Sequence, residues 1–247
     1  MPVPRVTPAF AHIAPFAVFL AFIGLVPLIA VENTMLPWWR HAPEQWVYPL
    51  QTVVVGILLV IFRRHYTFAP FRGFPLAVML GIIGMVWWCL PAFLWQKLNA
   101  SGVALPGWSG WLGIAGRKDG FDPTFFREHG FWYAAALVMR FVRMVVVVPF
   151  VEEIFWRSFL MRYVQTDGGD FRRVPFGRHS WPAFTITTLG FVLVHDRVDW
   201  LGALGFGTLM YFLTVRTKSL AACVLMHATA NLLLGAYVVS TKQWGFW

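Results

Sequence analysis

Apolar residues in this chain run in long stretches and do not alternate with polar ones. The runs cover Ala14–Val31, Trp46–Phe62, Phe74–Trp95, Phe131–Val164, Trp181–His195, Trp200–Val215 and Leu220–Val239. Most approach the roughly 20 residues that carry a helix across a bilayer, and they are too continuous for barrel strands, which alternate over about 10 residues. The pattern predicts an all-α polytopic membrane protein, a single bundle of about seven to eight transmembrane helices. The eighth would arise if the Gly-, Trp- and charge-rich segment Asn99–Gly130 dips into the membrane. Phe131–Val164 is one candidate helix of about 50 Å at 1.5 Å per residue, longer than one hydrocarbon core. Pro149 lies inside it and is expected to break or tilt it. The chain divides into N-terminal spans with an external or interfacial segment (1–130) and a second part (131–247), integrated in one bundle. Neither a low-complexity linker nor a fixed-period repeat separates them. The first run lacks a small-residue cleavage site and reads as a retained span, not a signal peptide.

Composition agrees. Hydrophobic residues make up 58% of the chain and charged ones 13%, about half the usual soluble share. The net charge of +9 does not indicate nucleic-acid binding, because basic residues of membrane proteins collect in cytoplasmic loops. Arg63, Arg64 and Arg72, then Arg172, Arg173 and Arg178, then Arg216 and Lys218 mark such loops. They place the N-terminus in the cytoplasm and the Glu32–Glu44 loop outside. The 14 Trp fit interfacial aromatic belts. Cys89 and Cys223 lie within apolar runs, without a Cys or His at ligand spacing, and read as packing residues.

Ionisable groups inside a span cost a few kcal/mol each on insertion scales, so the exceptions carry information. Three clusters stand out: Glu152, Glu153 and Arg157 in VEEIFWR; Phe191 and His195 in FVLVH; His227 and Asn231 in HATAN. On a helix Glu153 and Arg157 share a face, with the acid in the better, N-terminal position. Glu152 points about 100° away beside Phe155 and Trp156, free to act as a general base toward water. His227 and Asn231 also project together, and both can donate to a developing oxyanion. Each cluster has a structural alternative. The glutamates could pair with Arg140 or Arg143, His227 and Asn231 could join helices by hydrogen bonds, and His195 could be interfacial. Ser158 has no base on its own face, and GxGxxG and P-loop patterns are absent. Gly202, Gly205 and Gly207 form a small-residue face suited to close helix packing.

In this order and spacing, EExxxR, FxxxH and HxxxN on successive apolar helices resemble the CPBP family, the CAAX proteases and bacteriocin-processing enzymes also called Abi proteins. The resemblance covers Val145 to Leu234, and Ser158 departs from the Gly that many members carry after the Arg. It implies a CAAX-protease-like core and an intramembrane glutamic endopeptidase. By motif position, Glu152 would activate water with help from His195, while His227 and Asn231 would stabilise the oxyanion. Glu153 and Arg157 would orient the site, and Phe191 would pack beneath His195. The N-terminal spans resemble a bacterial, exosortase-associated subgroup of CAAX-protease-related proteins, with an implied link to surface-protein processing. The expected setting is the bacterial cytoplasmic membrane, and the expected substrate is a membrane-associated protein or peptide. No cofactor is required on this reading; the alternative is zinc held by Glu152, His195 and His227. The glutamates' position predicts a cavity open to the cytoplasm. A rival reading is a non-catalytic protein, a small transporter or a scaffold. Substrate identity and oligomeric state are not legible.

Overall fold

The structure is a computed structural model that describes residues 6–33, 35–118 and 120–247. Seven apolar helices organise it: α1 (Pro8–Ile29), α2 (Glu44–Phe62), α3 (Phe74–Ala100), α4 (Gly130–Tyr163), α5 (Trp181–Leu193), α6 (Trp200–Thr217) and α7 (Leu220–Thr241). No strand occurs among the described residues. Six helices are long and apolar enough to cross a membrane. The seventh, α5, has 13 residues and rises only about 20 Å. The segment after α3 folds into two short 3-10 turns, Gly107–Leu112 and Pro123–Phe126, and adds no eighth span.

Local chemistry sets the helix starts. Thr7 accepts the Phe10 N–H at 3.2 Å and Pro8 opens α1, so this helix begins six residues before the apolar run does. Ser180 accepts from Ala183 at the head of α5 (3.3 Å), and Ser219 from Ala222 at the head of α7 (3.2 Å). Many large aliphatic side chains stay exposed, among them Val53, Ile57, Val60 and Ile61 on α2 and Val78, Ile82 and Val86 on α3. Such rows are the lipid-facing surface of a bundle.

Inside, α7 packs on α3 and α6, α6 on α3 and α5, and α1 on α2 and α4. The small residues of α6 allow this approach. A Cβ at Gly202 would stand 3.1 Å from the Trp88 ring, and one at Gly205 would collide with Trp87, whose indole N–H donates to Leu201 O at 3.0 Å. The core joins Val151, Trp156, Phe191, Phe206, Met210 and Met226.

Pro149 does not break α4. The helix widens instead, into π turns at Val142–Val147 and Ile154–Leu160 that flank an α-helical stretch, Val148–Glu153. Wide turns absorb a missing backbone donor while the helix continues, and they recur at functional sites. Both glutamates sit on the short α-helical stretch between them.

The two ends of the bundle differ. At one end Arg72 donates to Thr217 O (2.6 Å), and Arg162 clamps Val174 O and Arg172 O (2.8 Å each). At the other, Arg117 pairs with Asp199, Gln96 donates to Gln243 (2.8 Å), and Arg197 lies 4.2 Å from the centre of the Trp111 ring.

Candidate active site

Glu153 is fully buried at the crossing of α4 and α7, and it is shared. Its Oε2 accepts from Arg157 Nε at 3.2 Å, and its Oε1 faces His227 Nδ1 at 2.8 Å. Arg157 reaches on to the Thr187 hydroxyl of α5 at 3.5 Å, and Thr187 donates to Ala183 O at 2.7 Å. A buried carboxylate bonded to a guanidinium accepts hydrogen bonds, so His227 Nδ1 is the donor. The cluster ties three helices together and fixes the imidazole plane. The glutamate pair does not bond to Arg140 or Arg143, which sequence alone had left open.

Glu152 lies on the adjacent face and makes no hydrogen bond to any described residue; its Oε2 is buried without a partner. It lines a cavity of about 260 Å³ together with His195, His227 and Asn231. Here α4, the outer end of α5 and the middle of α7 meet. His195 donates Nδ1–H to Phe191 O (2.7 Å), because a backbone carbonyl can only accept. Its ring rests 4.5 Å from Phe191 and 5.3 Å from Trp88, between centroids. In both histidines Nδ1 is occupied within the protein and Nε2 is left for the cavity.

Asn231 donates its amide to Met144 O at 2.6 Å. Met144 lies in the first π turn, where the Val148 N–H bonds to Arg143 O. Continued one residue further, this pattern would give Met144 O the N–H of residue 149, which is proline and has none. Asn231 supplies the missing donor from the facing helix. A primary amide carries two N–H bonds, so one remains beyond the contact with Met144.

Other lining residues carried no motif. Arg140, Arg143, Asp199 and Phe246 border the same cavity, as do Phe16, Phe19, Leu20 and Ile23 of α1 on one side and Met85 and Trp88 of α3 on another. These residues run from Glu152 toward the end of the bundle opposite the arginine-rich loops. None of the residues of the arginine-rich loops is among those that line the cavity. The half of α4 nearer that end turns Arg140 and Arg143 into the cavity wall, and His195 and Asp199 border the cavity there. Gln51 was a missed signal, a buried amide in an apolar run. It accepts from Arg143 Nε at 2.7 Å and donates to Phe19 O at 2.6 Å. The alternative zinc ligands surround one cavity, but no group of three or more His, Cys, Asp or Glu among the described residues stands at metal-holding spacing.

Residues 134–233 match the model of a family described as type II CAAX prenyl endopeptidase, Rce1-like. The matched stretch contains Glu152, Glu153, Arg157, Phe191, His195, His227 and Asn231, and it supports a CAAX-type intramembrane endopeptidase. It does not reach the N-terminal spans on which the exosortase-associated resemblance rests. No curated protein and no solved structure matched the chain.

Proposed function

Proceeding from a CAAX-protease-like segment at 134–233, we propose that this protein is a membrane endopeptidase that hydrolyses a peptide bond of a membrane-associated protein or peptide with activated water. The observation that carries the reading is the unbonded Glu152 carboxylate, which shares a cavity with His195, His227 and Asn231. A water molecule held between Glu152 and His195 Nε2 would lose a proton to the carboxylate as it attacks the carbonyl carbon. The oxygen that becomes negative would face the second N–H of Asn231 and, when the ring is an imidazolium, the Nε2–H of His227. Glu153 lies behind that ring and balances its charge, while Arg157 holds Glu153 in place. Glu152 then returns the proton to the leaving amine. The reaction forms no covalent acyl-enzyme and requires no cofactor.

The substrate would enter from the lipid between α1 and the α3–α5 side, both of which contribute residues to the cavity lining. The test is cleavage of membrane-fraction proteins by purified wild type, Glu152→Gln and His227→Ala, read by mass spectrometry of new termini. New termini seen with wild type alone support the reading. Equal products from a folded Glu152→Gln protein would end it.

A further inference from the structure

Two cations in the cavity have no part in the hydrolytic chemistry. Arg140 and Arg143 are more than nine-tenths buried, and no carboxylate among the described residues pairs with either. Arg140 Nε has no partner. Its guanidinium sits 5.4 Å from the ring centres of both Phe121 and Trp247. Arg143 uses Nε on Gln51 and stacks 4.4 Å from the Tyr48 ring. Of the two acids in the lining, Asp199 is taken by Arg117, and Glu152 makes no hydrogen bond or ion pair with either arginine. Aromatic faces and one amide hold these side chains in place but do not neutralise two positive charges in a low-dielectric wall. An anion in the cavity would supply the counter-charge that neither contact provides.

We propose that Arg140 and Arg143 form a receptor for a carboxylate of the substrate and thereby set the distance from that carboxylate to the bond cut. The inference rests on the peptidase reading. Along α4, Arg143 and Arg140 precede Glu152 by nine and twelve residues, about 13–18 Å at helical rise. An extended peptide covers that span in about four to five residues at roughly 3.3 Å each. The carboxylate is either an acidic side chain or the chain terminus, and both present the planar fork that guanidinium matches.

Binding to the Glu152→Gln protein in phosphatidylcholine nanodiscs separates these cases without turnover. The probes are three coumarin-labelled apolar hexapeptides: one with a free terminal carboxylate, one with a terminal amide, and one amide with Asp as its last residue. At least one carboxylate-bearing peptide should bind about tenfold or more tighter than the plain amide, and the stronger of the two identifies the source. Adding Arg140→Gln and Arg143→Gln should abolish the difference. If that protein does not fold, Arg140→Gln alone, which removes no hydrogen bond among described residues, should reduce the difference at least about threefold. Equal binding of all three peptides, or discrimination unchanged in the arginine variants, overturns the proposal. So does binding governed by added phosphatidylglycerol and not by the peptide's carboxylate, which would assign the pair to a lipid headgroup. Absence of cleavage by wild type alongside intact discrimination counts against the peptidase reading, not the anion site.

Discussion

Asn231 on α7 donates to the carbonyl of Met144 on α4 at 2.6 Å, the carbonyl that Pro149 leaves without a backbone donor in the widened turn. One side chain thus serves the helix and faces the cavity. Asn231→Ala should lower activity about 10²–10³-fold, as loss of an oxyanion donor does, and should destabilise the protein by about 1–3 kcal/mol through the orphaned carbonyl. Pro149→Ala restores a backbone N–H, so in that background the stability loss should shrink while the activity loss stays. Thermal unfolding and peptide cleavage measured on all four proteins separate the two roles.

Glu152→Gln should abolish cleavage and leave the protein at least as stable as wild type. Its carboxylate makes no hydrogen bond to a described residue, and removal of an unpaired buried charge relieves desolvation. A clear drop in melting temperature would mean that Glu152 is structural.

For Glu153 the opposite holds. Glu153→Gln strands Arg157 and should cost about 3–5 kcal/mol, seen as a large fall in melting temperature and folded yield. Replacing both partners, with Glu153→Leu and Arg157→Met, should recover most of that stability but no activity, because His227 loses the group that aligns it. Recovery of activity in the double variant would reduce the pair to a packing role.

Strong chelators should leave cleavage unchanged. Loss of activity that zinc alone restores would move the chemistry to Glu152, His195 and His227 as ligands.

The cavity's direction can be tested in a Cys-less background. Val194→Cys, on the cavity lining, should react with a membrane-impermeant thiol reagent added to the side opposite the one from which Arg172→Cys is labelled. Labelling of both from one side would place the opening with the arginine-rich loops.

What was readable in the sequence was short-range. The Glu153–Arg157 pair follows from helical spacing, and the bounds of α4 fall within a residue of the apolar run because hydropathy alone sets them. The polar side chains of three motifs could be enumerated because each is an exception in an apolar stretch. The pairing of His227 with Glu153, across 74 positions, depends on how α7 crosses α4, which neither helix encodes locally. The π turns were hidden as well. Val142–Val147 carries valines, an arginine and a methionine that an α-helix could equally hold, and the combination of Pro149 with a donor on another helix favours the wider turn. Whether Arg140 and Arg143, roughly three turns inside the span, face the bundle or reach back to the interface depends on the rotation of α4, which its own sequence does not encode.

The short helix α5 sets the supply of the second reactant. Hydrolysis consumes one water per bond, and a hydrocarbon layer about 30 Å thick holds almost none. With 13 residues, α5 covers about 20 Å of that thickness, and His195 is the second residue past its end. A bilayer meeting so short an element thins around it. Headgroups and their hydration would then come down toward the imidazole, and the mismatch itself would wet a site that the rest of the bundle keeps in oil.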